Sequence, residues 1–149
     1  IRKSFVYTIF KKNLITNLHH VNITNIKNFD DIAKALESII KFGLKLVKDT
    51  VKIDNLSGLL NTHKNIKLSD LVQSIKNNSE KNFSNINFII SYNNEVFPGL
   101  FLKVFHKKSK QKIGTAIIFH SGKVILVGSK KIEDLECLSK IILALIAMK

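Results

Sequence analysis

Cysteine is almost absent from this chain of 149 residues, because Cys137 is its only one. A single cysteine excludes an internal disulfide and any zinc site that is built from several cysteines. The five histidines show no metal-ligand spacing, so the sequence predicts neither a metal site nor a bound cofactor. Cys137 falls within a helical pattern, which is typical of a buried or half-buried apolar residue in a reducing compartment.

Long apolar segments and catalytic motifs are missing as well. The longest apolar run, Ile141–Met148, is far too short to span a bilayer, and the sequence shows no signal peptide, so we expect no membrane partner. Gly122 and Lys123 lack the preceding glycine and the following hydroxyl residue of a phosphate-binding loop. The acidic pairs Asp30-Asp31 and Glu133-Asp134 fit the first turns of predicted helices, where the helix dipole accounts for them. The sequence therefore favours a binding protein over an enzyme.

Acidic side chains are scarce relative to basic ones. The chain has 24 Lys and Arg against 11 Asp and Glu, which gives a formal net charge of +13. Such an excess indicates a polyanionic partner more readily than an acidic one. A basic surface that simply stays solvated would account for the charge equally well.

The most informative segment that is present spans residues 95–128 and predicts three antiparallel strands that are apolar on both faces. One alternating set has no polar member and is expected to pack on helices; it comprises Leu100, Leu102, Val104, Ala116, Ile118, Val124 and Leu126. The other set is apolar and aromatic with lysines and a threonine set into it; it comprises Phe97, Phe101, Lys103, Phe105, Thr115, Ile117, Phe119, Lys123, Ile125 and Val127.

A pair of phenylalanines is expected at one end of this sheet. If residues 120–123 form a tight hairpin and residues 97–105 pair with 114–119, Phe97 lies beside Phe119. On a generic sheet both rings would be assigned to the core. Because the opposite face already supplies a complete core set, we expect both rings to be exposed instead.

The first part of the chain predicts shorter elements. Phe5–Phe10 followed by Leu14–Leu18 indicates two strands, and residues 28–43 have the cap, the amphipathic spacing and the terminal glycine of a helix. Further helices are predicted near residues 67–78 and 131–148 from their apolar spacing.

Two motifs at this separation resemble the second repeat of the TATA-box-binding protein family. They are Glu95-Val-Phe-Pro-Gly-Leu100, with Tyr92 before it, and Ile-Phe-x-Ser-Gly-Lys-Val-x-Leu-x-Gly at residues 118–128. Lys52-Ile-Asp-Asn55 stands where the family has Lys-Ile-Gln-Asn. The match covers about residues 45–149. It implies an α+β fold, the TATA-binding-protein-like saddle, in which a curved antiparallel sheet carries helices on its convex face.

The resemblance also implies a domain organisation. Residues 45–149 correspond to a second repeat, and residues 1–44 to the C-terminal part of a degenerate first repeat. The earlier elements of that first repeat are not visible and the chain begins with Ile, so we expect a portion of a two-repeat protein.

The function that the resemblance implies is that of a general transcription factor. It would engage the minor groove of A·T-rich double-stranded promoter DNA with its concave sheet and kink the DNA by inserting phenylalanines between base steps. Its further partners would be a TFIIB-type transcription factor and the RNA polymerase machinery. It would act in the nucleus, or at the site of viral transcription if the chain is viral.

The matching motifs also imply roles for individual residues. Phe97 and Phe119 would be the wedges, and Asn55 would contact minor-groove acceptors, which suit an amide donor. The alternative for Asn55 is a polar turn residue after a strand. Tyr92 and Glu95 would bind the TFIIB-type partner. The residues expected to bind DNA are Asn55, Ser57, Phe97, Phe101, Lys103, Thr115, Ile117, Phe119, Lys123, Ile125, Val127 and, from the first repeat, Phe10.

Several positions depart from the family. Val127 replaces a threonine, and Ser57 and Thr115 replace valines, so strict TATA specificity is not implied. The loop at residues 106–112 is longer than the family's turn; its lysines would either contact flanking phosphates or stay solvated.

Two alternatives from other classes remain open. An exposed apolar sheet would also suit a TATA-binding-like module that binds protein rather than DNA. The same fold would also suit the substrate-recognition domain of a nucleic-acid enzyme of the ribonuclease H type.

Overall fold

Two units make up the chain in the computed structural model, which describes residues 5–47 and 50–148. The first unit is Ile1–Val51 and the second is Lys52–Lys149.

The first unit is a β-hairpin with one helix. Strands β1 (Val6–Ile9) and β2 (Val21–Thr24) pair antiparallel, and helix α1 (Asp30–Lys41) follows. The hydroxyl of Tyr7 donates a hydrogen bond to the carbonyl oxygen of Ala35 at 3.1 Å, so alternate residues of β1 face α1. Helix α1 ends as predicted at a glycine, because Gly43 adopts the left-handed φ of +107°.

The predicted strand at Leu14–Leu18 is wrong. This segment is a turn, and the second strand begins only at Val21. The side-chain oxygen of Asn13 accepts hydrogen bonds from the backbone N–H groups of Ile15 and Thr16, at 2.8 and 3.1 Å. An Asn that bonds to the backbone two and three residues ahead of it bends the chain, and this turn chemistry overrides the apolar character of the segment.

The second unit is a five-stranded antiparallel sheet with two helices. The strands lie in the order β3-β7-β6-β5-β4. The elements are β3 (Leu56–Asn61), α2 (Leu68–Asn82), β4 (Ile86–Ser91), β5 (Gly99–His106), β6 (Lys112–Phe119), β7 (Lys123–Ser129) and α3 (Ile132–Ala147).

The core of this unit lies between the helices and the strand residues that the alternation assigned to it. All of those residues are at most 2% exposed. They cluster with buried residues of α2 and α3, namely Leu68, Leu71, Ile75, Leu138, Ile141, Ile142 and Leu145. Gly114 also faces the helices, because a Cβ atom there would lie only 2.6 Å from Cδ2 of Leu138. The α+β class and the helix-facing set are therefore confirmed.

The strands differ from the prediction in number and in one boundary. The edge strands β3 and β4 extend the predicted three strands to five. Strand β5 begins at Gly99 rather than at Phe97, because Pro98 has no N–H to donate to a neighbouring strand. The backbone N–H of Phe97 instead donates to the carbonyl of Asn93 at 3.0 Å, within a turn.

Candidate nucleic-acid interface

The face of the five-stranded sheet opposite α2 and α3, which we call the outer face, is apolar across its width. Strand register places one residue from each strand side by side in a row: Leu59, Ile125, Ile117, Phe101 and Ser91. A second row places Val127, Thr115, Lys103 and Ile89 side by side. None of the five strands contains an acidic residue.

Three phenylalanine rings gather at one end of the outer face. The ring centroid of Phe97 lies 5.9 Å from that of Phe119 and 5.0 Å from that of Phe101. Phe97 is 36% exposed, whereas the other two rings are half-buried because they pack against it. The predicted side-by-side placement of Phe97 and Phe119 is confirmed, and Phe101 joins them. The expectation that both rings are exposed holds for Phe97 but not for Phe119, which is half-buried.

A glycine makes room for this stack. Gly99 pairs with Phe119 across the strands, and a Cβ atom at Gly99 would lie 2.6 Å from Cε1 of Phe97. Real Cβ atoms do not approach a carbon so closely. The Phe-Pro-Gly sequence therefore works as a unit, since the turn presents the ring and Gly99 leaves the space that it occupies.

Asn55 holds a fixed orientation before β3. Its Oδ1 atom accepts a hydrogen bond of 2.6 Å from the backbone N–H of Gly128, on the neighbouring strand β7. A backbone N–H needs an acceptor, so this bond decides which end of the amide is oxygen. The Nδ2 group, which can only donate, makes no hydrogen bond to any part of the chain that the structure describes.

Lysines lie within and beside these rows. Lys103 and Lys123 are exposed at the predicted positions. The sequence placed Lys112 in the loop at residues 106–112, but it is the first residue of β6, and register pairs it with Phe105, so it shares the outer face. Its Nζ atom lies 3.1 Å from where a Cβ atom of Gly128 would stand, beside the residue that holds Asn55. A register shift after Val104 brings Lys112 there, and alternation alone does not reveal such a shift.

The basic loop that follows β5 is ordered by its own backbone. The backbone N–H of His106 donates to the carbonyl of Gln111 at 2.9 Å, and the backbone N–H of Lys110 donates to the carbonyl of His106 at 3.0 Å. Lys107, Lys108 and Lys110 are exposed, at the opposite end of the β5–β6 hairpin from Phe97.

The remaining expected DNA contacts are arranged as follows. Ser57 is exposed, and Ile117, Ile125 and Val127 are half-buried on the outer face. Thr115 differs from the expectation, because it is only 6% exposed. It lies on the central strand, between Lys103 and Val127 in the register, and it offers a partner little surface.

Two exposed aliphatic residues of the outer face were not predicted from the sequence. Leu59 is 80% exposed and Ile89 is 55% exposed, both on the outer face of edge strands. Both belong to strands that were not among the predicted three.

The residues expected to bind a transcription partner differ from each other in exposure. Glu95 is exposed, and its backbone N–H is held by the side-chain oxygen of Asn93 at 3.1 Å. Tyr92 is half-buried and packs against the core, so much of its ring serves the fold.

Phe10 lies in the first unit, just beyond β1. It is 45% exposed, and its ring centroid lies 5.6 Å from that of His20. Alternation from Tyr7 places Phe10 on the face of the hairpin turned away from α1.

Residues 5–47 and 50–148 contain neither a metal-binding cluster nor a membrane-spanning helix. No group of three or more His, Cys, Asp or Glu side chains is placed there to hold a metal ion. Across the same residues, every helix is too short or too polar to cross a membrane.

Comparisons with known proteins agree with this geometry. The family model for "Transcription factor TFIID (or TATA-binding protein, TBP)" matches residues 50–148. The TATA-box-binding protein of Picrophilus torridus is 28% identical over 131 residues, which cover 83% of this chain and 61% of the relative. That of Methanothermobacter thermautotrophicus is 31% identical over 84 residues, which cover 56% of this chain and 37% of the relative.

A solved structure shows the same fold. Methanococcus jannaschii TBP matches with a TM-score of 0.58 at 26% identity, over 87% of this chain and 67% of that chain. The TATA-binding-protein-like fold that the sequence predicted is thereby confirmed. The chain spans less than two thirds of the length of the curated relatives it matches.

Proposed function

The chain belongs to the family of transcription factor TFIID, the TATA-binding protein, and we propose that it is a DNA-binding transcription factor of the TATA-binding type rather than an enzyme. Its outer face engages the minor groove of A·T-rich promoter DNA. The observation that carries this proposal is a largely apolar sheet face without acidic residues that ends in a phenylalanine stack and carries lysines.

An apolar face suits the floor of a minor groove that has been opened. Sugar edges and partly unstacked bases offer apolar surface there, and Leu59, Ile117 and Ile125 supply a matching surface. In this proposal Phe97 enters a base step and Phe119 supports it from behind, since the rings are in contact and Phe97 is the more exposed. Steps that unstack at low cost, such as TA, are then favoured.

Asn55 gives the face its preference for A·T pairs. In the minor groove, A·T and T·A pairs present only acceptors, whereas a G·C pair adds the exocyclic amino donor of guanine. The Nδ2 group of Asn55 is a donor whose direction is fixed by the bond to Gly128. A guanine amino group in the same place would meet a donor and apolar side chains, and it would lose its hydrogen bond to water.

Lysines supply the sequence-independent part of binding. Lys103, Lys112 and Lys123 share the outer face with the apolar rows, so a duplex that lies on these rows brings phosphates within their reach. We also propose that a TFIIB-type factor, together with the polymerase machinery, binds the turn that carries Glu95.

The test uses duplexes that differ only in the minor groove. Affinity is measured by fluorescence anisotropy for an A·T-rich site, for the same site with two central pairs changed to G·C, and for the same site with those pairs changed to inosine·cytosine. Inosine lacks the exocyclic amino group of guanine. We expect the inosine duplex to bind about as tightly as the A·T duplex and the G·C duplex to bind roughly tenfold or more weakly. Equal binding of all three would refute minor-groove recognition.

A further inference from the structure

Ile-Phe occurs before the connection of two hairpins in this chain, and the two connections differ in length. Ile118 and Phe119 end β6, and only residues 120–122 precede β7. Ile9 ends β1, Phe10 follows it directly, and residues 11–20 precede β2. The long connection, which we call the β1–β2 loop, therefore begins directly after Phe10.

This loop is held in one shape by its own hydrogen bonds. In addition to the two bonds that Asn13 Oδ1 accepts, the backbone N–H of Asn13 donates to the carbonyl of Leu18 at 2.9 Å, and that of Asn17 donates to the carbonyl of Asn13 at 2.8 Å. Asn17 adopts the left-handed φ of +59°, which Asn tolerates better than most residues. These bonds fix the backbone that carries Leu14 and Ile15.

The base of the loop is fastened to Phe10 through two histidines. Nδ1 of His19 lies 3.0 Å from the carbonyl oxygen of Phe10, and the backbone N–H of Phe10 donates to the carbonyl of His20 at 2.9 Å. The ring of His20 packs on the ring of Phe10. Any surface that reaches Phe10 therefore meets the start of this loop.

The tip of the loop exposes two large aliphatic side chains. Leu14 is 97% exposed and Ile15 is 95% exposed, and they are neighbours in the chain. Single exposed aliphatics are ordinary, but an ordered turn that holds two adjacent ones almost entirely in water loses the free energy their burial would give. A partner that covers both would recover it.

The charge around the loop selects an anionic partner. Lys11 and Lys12 lead into the turn and are exposed, and residues 5–29 include no Asp or Glu. Duplex DNA matches both kinds of side chain in this loop. Its phosphates can bind the lysines, and the sugar and base surface beside them can cover the aliphatic residues. Leu and Ile are among the residues that wedge into base steps from the minor groove.

We propose that the β1–β2 loop is an additional DNA contact, in which Leu14 and Ile15 wedge into a minor-groove base step and the two lysines bind the flanking phosphates. This role rests on the proposed function, because it requires the chain to bind A·T-rich duplex through the minor groove.

The experiment compares the unaltered chain with the double variant Leu14→Asn, Ile15→Asn. Leu143→Asn, which replaces an exposed aliphatic residue of α3, is the matched control. A series of A·T-rich duplexes carries 2-aminopurine at successive positions, because its fluorescence rises where a base unstacks. We expect the double variant to lose the rise at one position only, to keep the others, and to bind roughly tenfold more weakly. The control should match the unaltered chain.

A second variant tests the charge separately. Lys11→Gln, Lys12→Gln should lower the slope of log affinity against log salt by about 0.9 for each phosphate that is no longer neutralised, and it should leave the fluorescence pattern in place. The loop residues are exposed, so thermal melting of both variants should follow that of the unaltered chain.

The outcomes separate the two proposals. If the unaltered chain shows no preference for A·T-rich duplex, the proposed function fails and this inference fails with it. If the chain binds that duplex and the double variant gives the same affinity and the same fluorescence pattern, only the role of the loop is overturned. Loss of binding to a protein partner with unchanged DNA binding would overturn it in the same way.

Discussion

The Oδ1 atom of Asn55 accepts a hydrogen bond from the backbone N–H of Gly128 at 2.6 Å, and the remaining amide donor, Nδ2, bonds to no part of the chain that the structure describes. A side chain that served only as a turn residue would need no such orientation. The bond thus separates what Asn55 does for the fold, through its oxygen, from what it offers a ligand, through its nitrogen.

Replacement of Asn55 by Asp uses this separation. The carboxylate keeps an acceptor for Gly128 but puts a second acceptor where the donor was. We expect stability to change by less than about 1 kcal/mol, while affinity for A·T-rich duplex falls by roughly tenfold to a hundredfold. The measurements are thermal melting and anisotropy. The control is Asn77→Asp on α2, which makes the same charge change where the side-chain oxygen accepts from Gln73. If both variants lose affinity equally, the loss comes from the change in net charge and not from the Asn55 amide.

Replacement of Phe97 by Ala tests whether the most exposed ring of the stack acts as a wedge. We expect weaker binding and a smaller DNA bend, measured by energy transfer between dyes at the duplex ends, because the apolar insertion is removed. Stability should fall by much less than the roughly 3–5 kcal/mol typical of a buried Phe, since 36% of Phe97 is exposed. The matched control is Phe83→Ala, whose ring packs against the core and lies 5.7 Å from that of Phe88. It should lose stability but keep DNA bending, and the reverse result would place Phe97 in a structural role.

Replacement of Gly99 by Ala should reproduce the Phe97 effect without touching Phe97. The new Cβ atom would collide with the Phe97 ring, which is the movable end of a side chain, so the ring shifts while the strand remains. We expect the same loss of bending, and the double variant Gly99→Ala, Phe97→Ala should be no worse than Phe97→Ala alone. Additive losses would show that the two residues act independently.

The helix-facing half of the fold was predictable because its pattern is strict. Leu100, Leu102 and Val104 alternate with outward residues and have no polar member, and a core needs that alternation wherever one sheet face is buried. The outer face was predictable only in part. Lys112 reaches it through a register shift after Val104, and sequence periodicity assumes that no such shift occurs.

The turn at Leu14–Leu18 shows the opposite limit. Its apolar residues resemble those of a strand, but Asn13 and Asn17 decide the backbone through local hydrogen bonds. Composition and alternation predict structure from side-chain burial. Here the backbone conformation is set by local hydrogen bonds instead, and Leu14 and Ile15 remain exposed to water. β4 was missed for a related reason, since residues 88–90 form a continuous apolar run that does not distinguish a strand from a short helical segment.

Salt dependence distinguishes DNA binding from the protein-binding alternative, and Lys112 provides the sharpest variant. If Lys103, Lys112 and Lys123 neutralise phosphates, log affinity should fall linearly with log salt, and Lys112→Gln should lower the slope by about 0.9. The Lys112 ammonium lies beside Gly128, whose N–H bonds to Asn55. We therefore expect Lys112 to reach a phosphate only when the duplex passes over Asn55.

The control for this measurement is Lys67→Gln. Lys67 is exposed and lies 3.4 Å from Asp70 of α2, so its replacement changes net charge equally but removes no charge from the outer face. We expect the Lys67 variant to keep the slope of the unaltered chain. If the slope falls equally in both variants, the salt dependence of the affinity reflects the net charge of the chain and not a contact made by Lys112. An affinity for duplex DNA that is insensitive to salt would favour a protein partner, because counterion release accompanies every phosphate that a lysine neutralises.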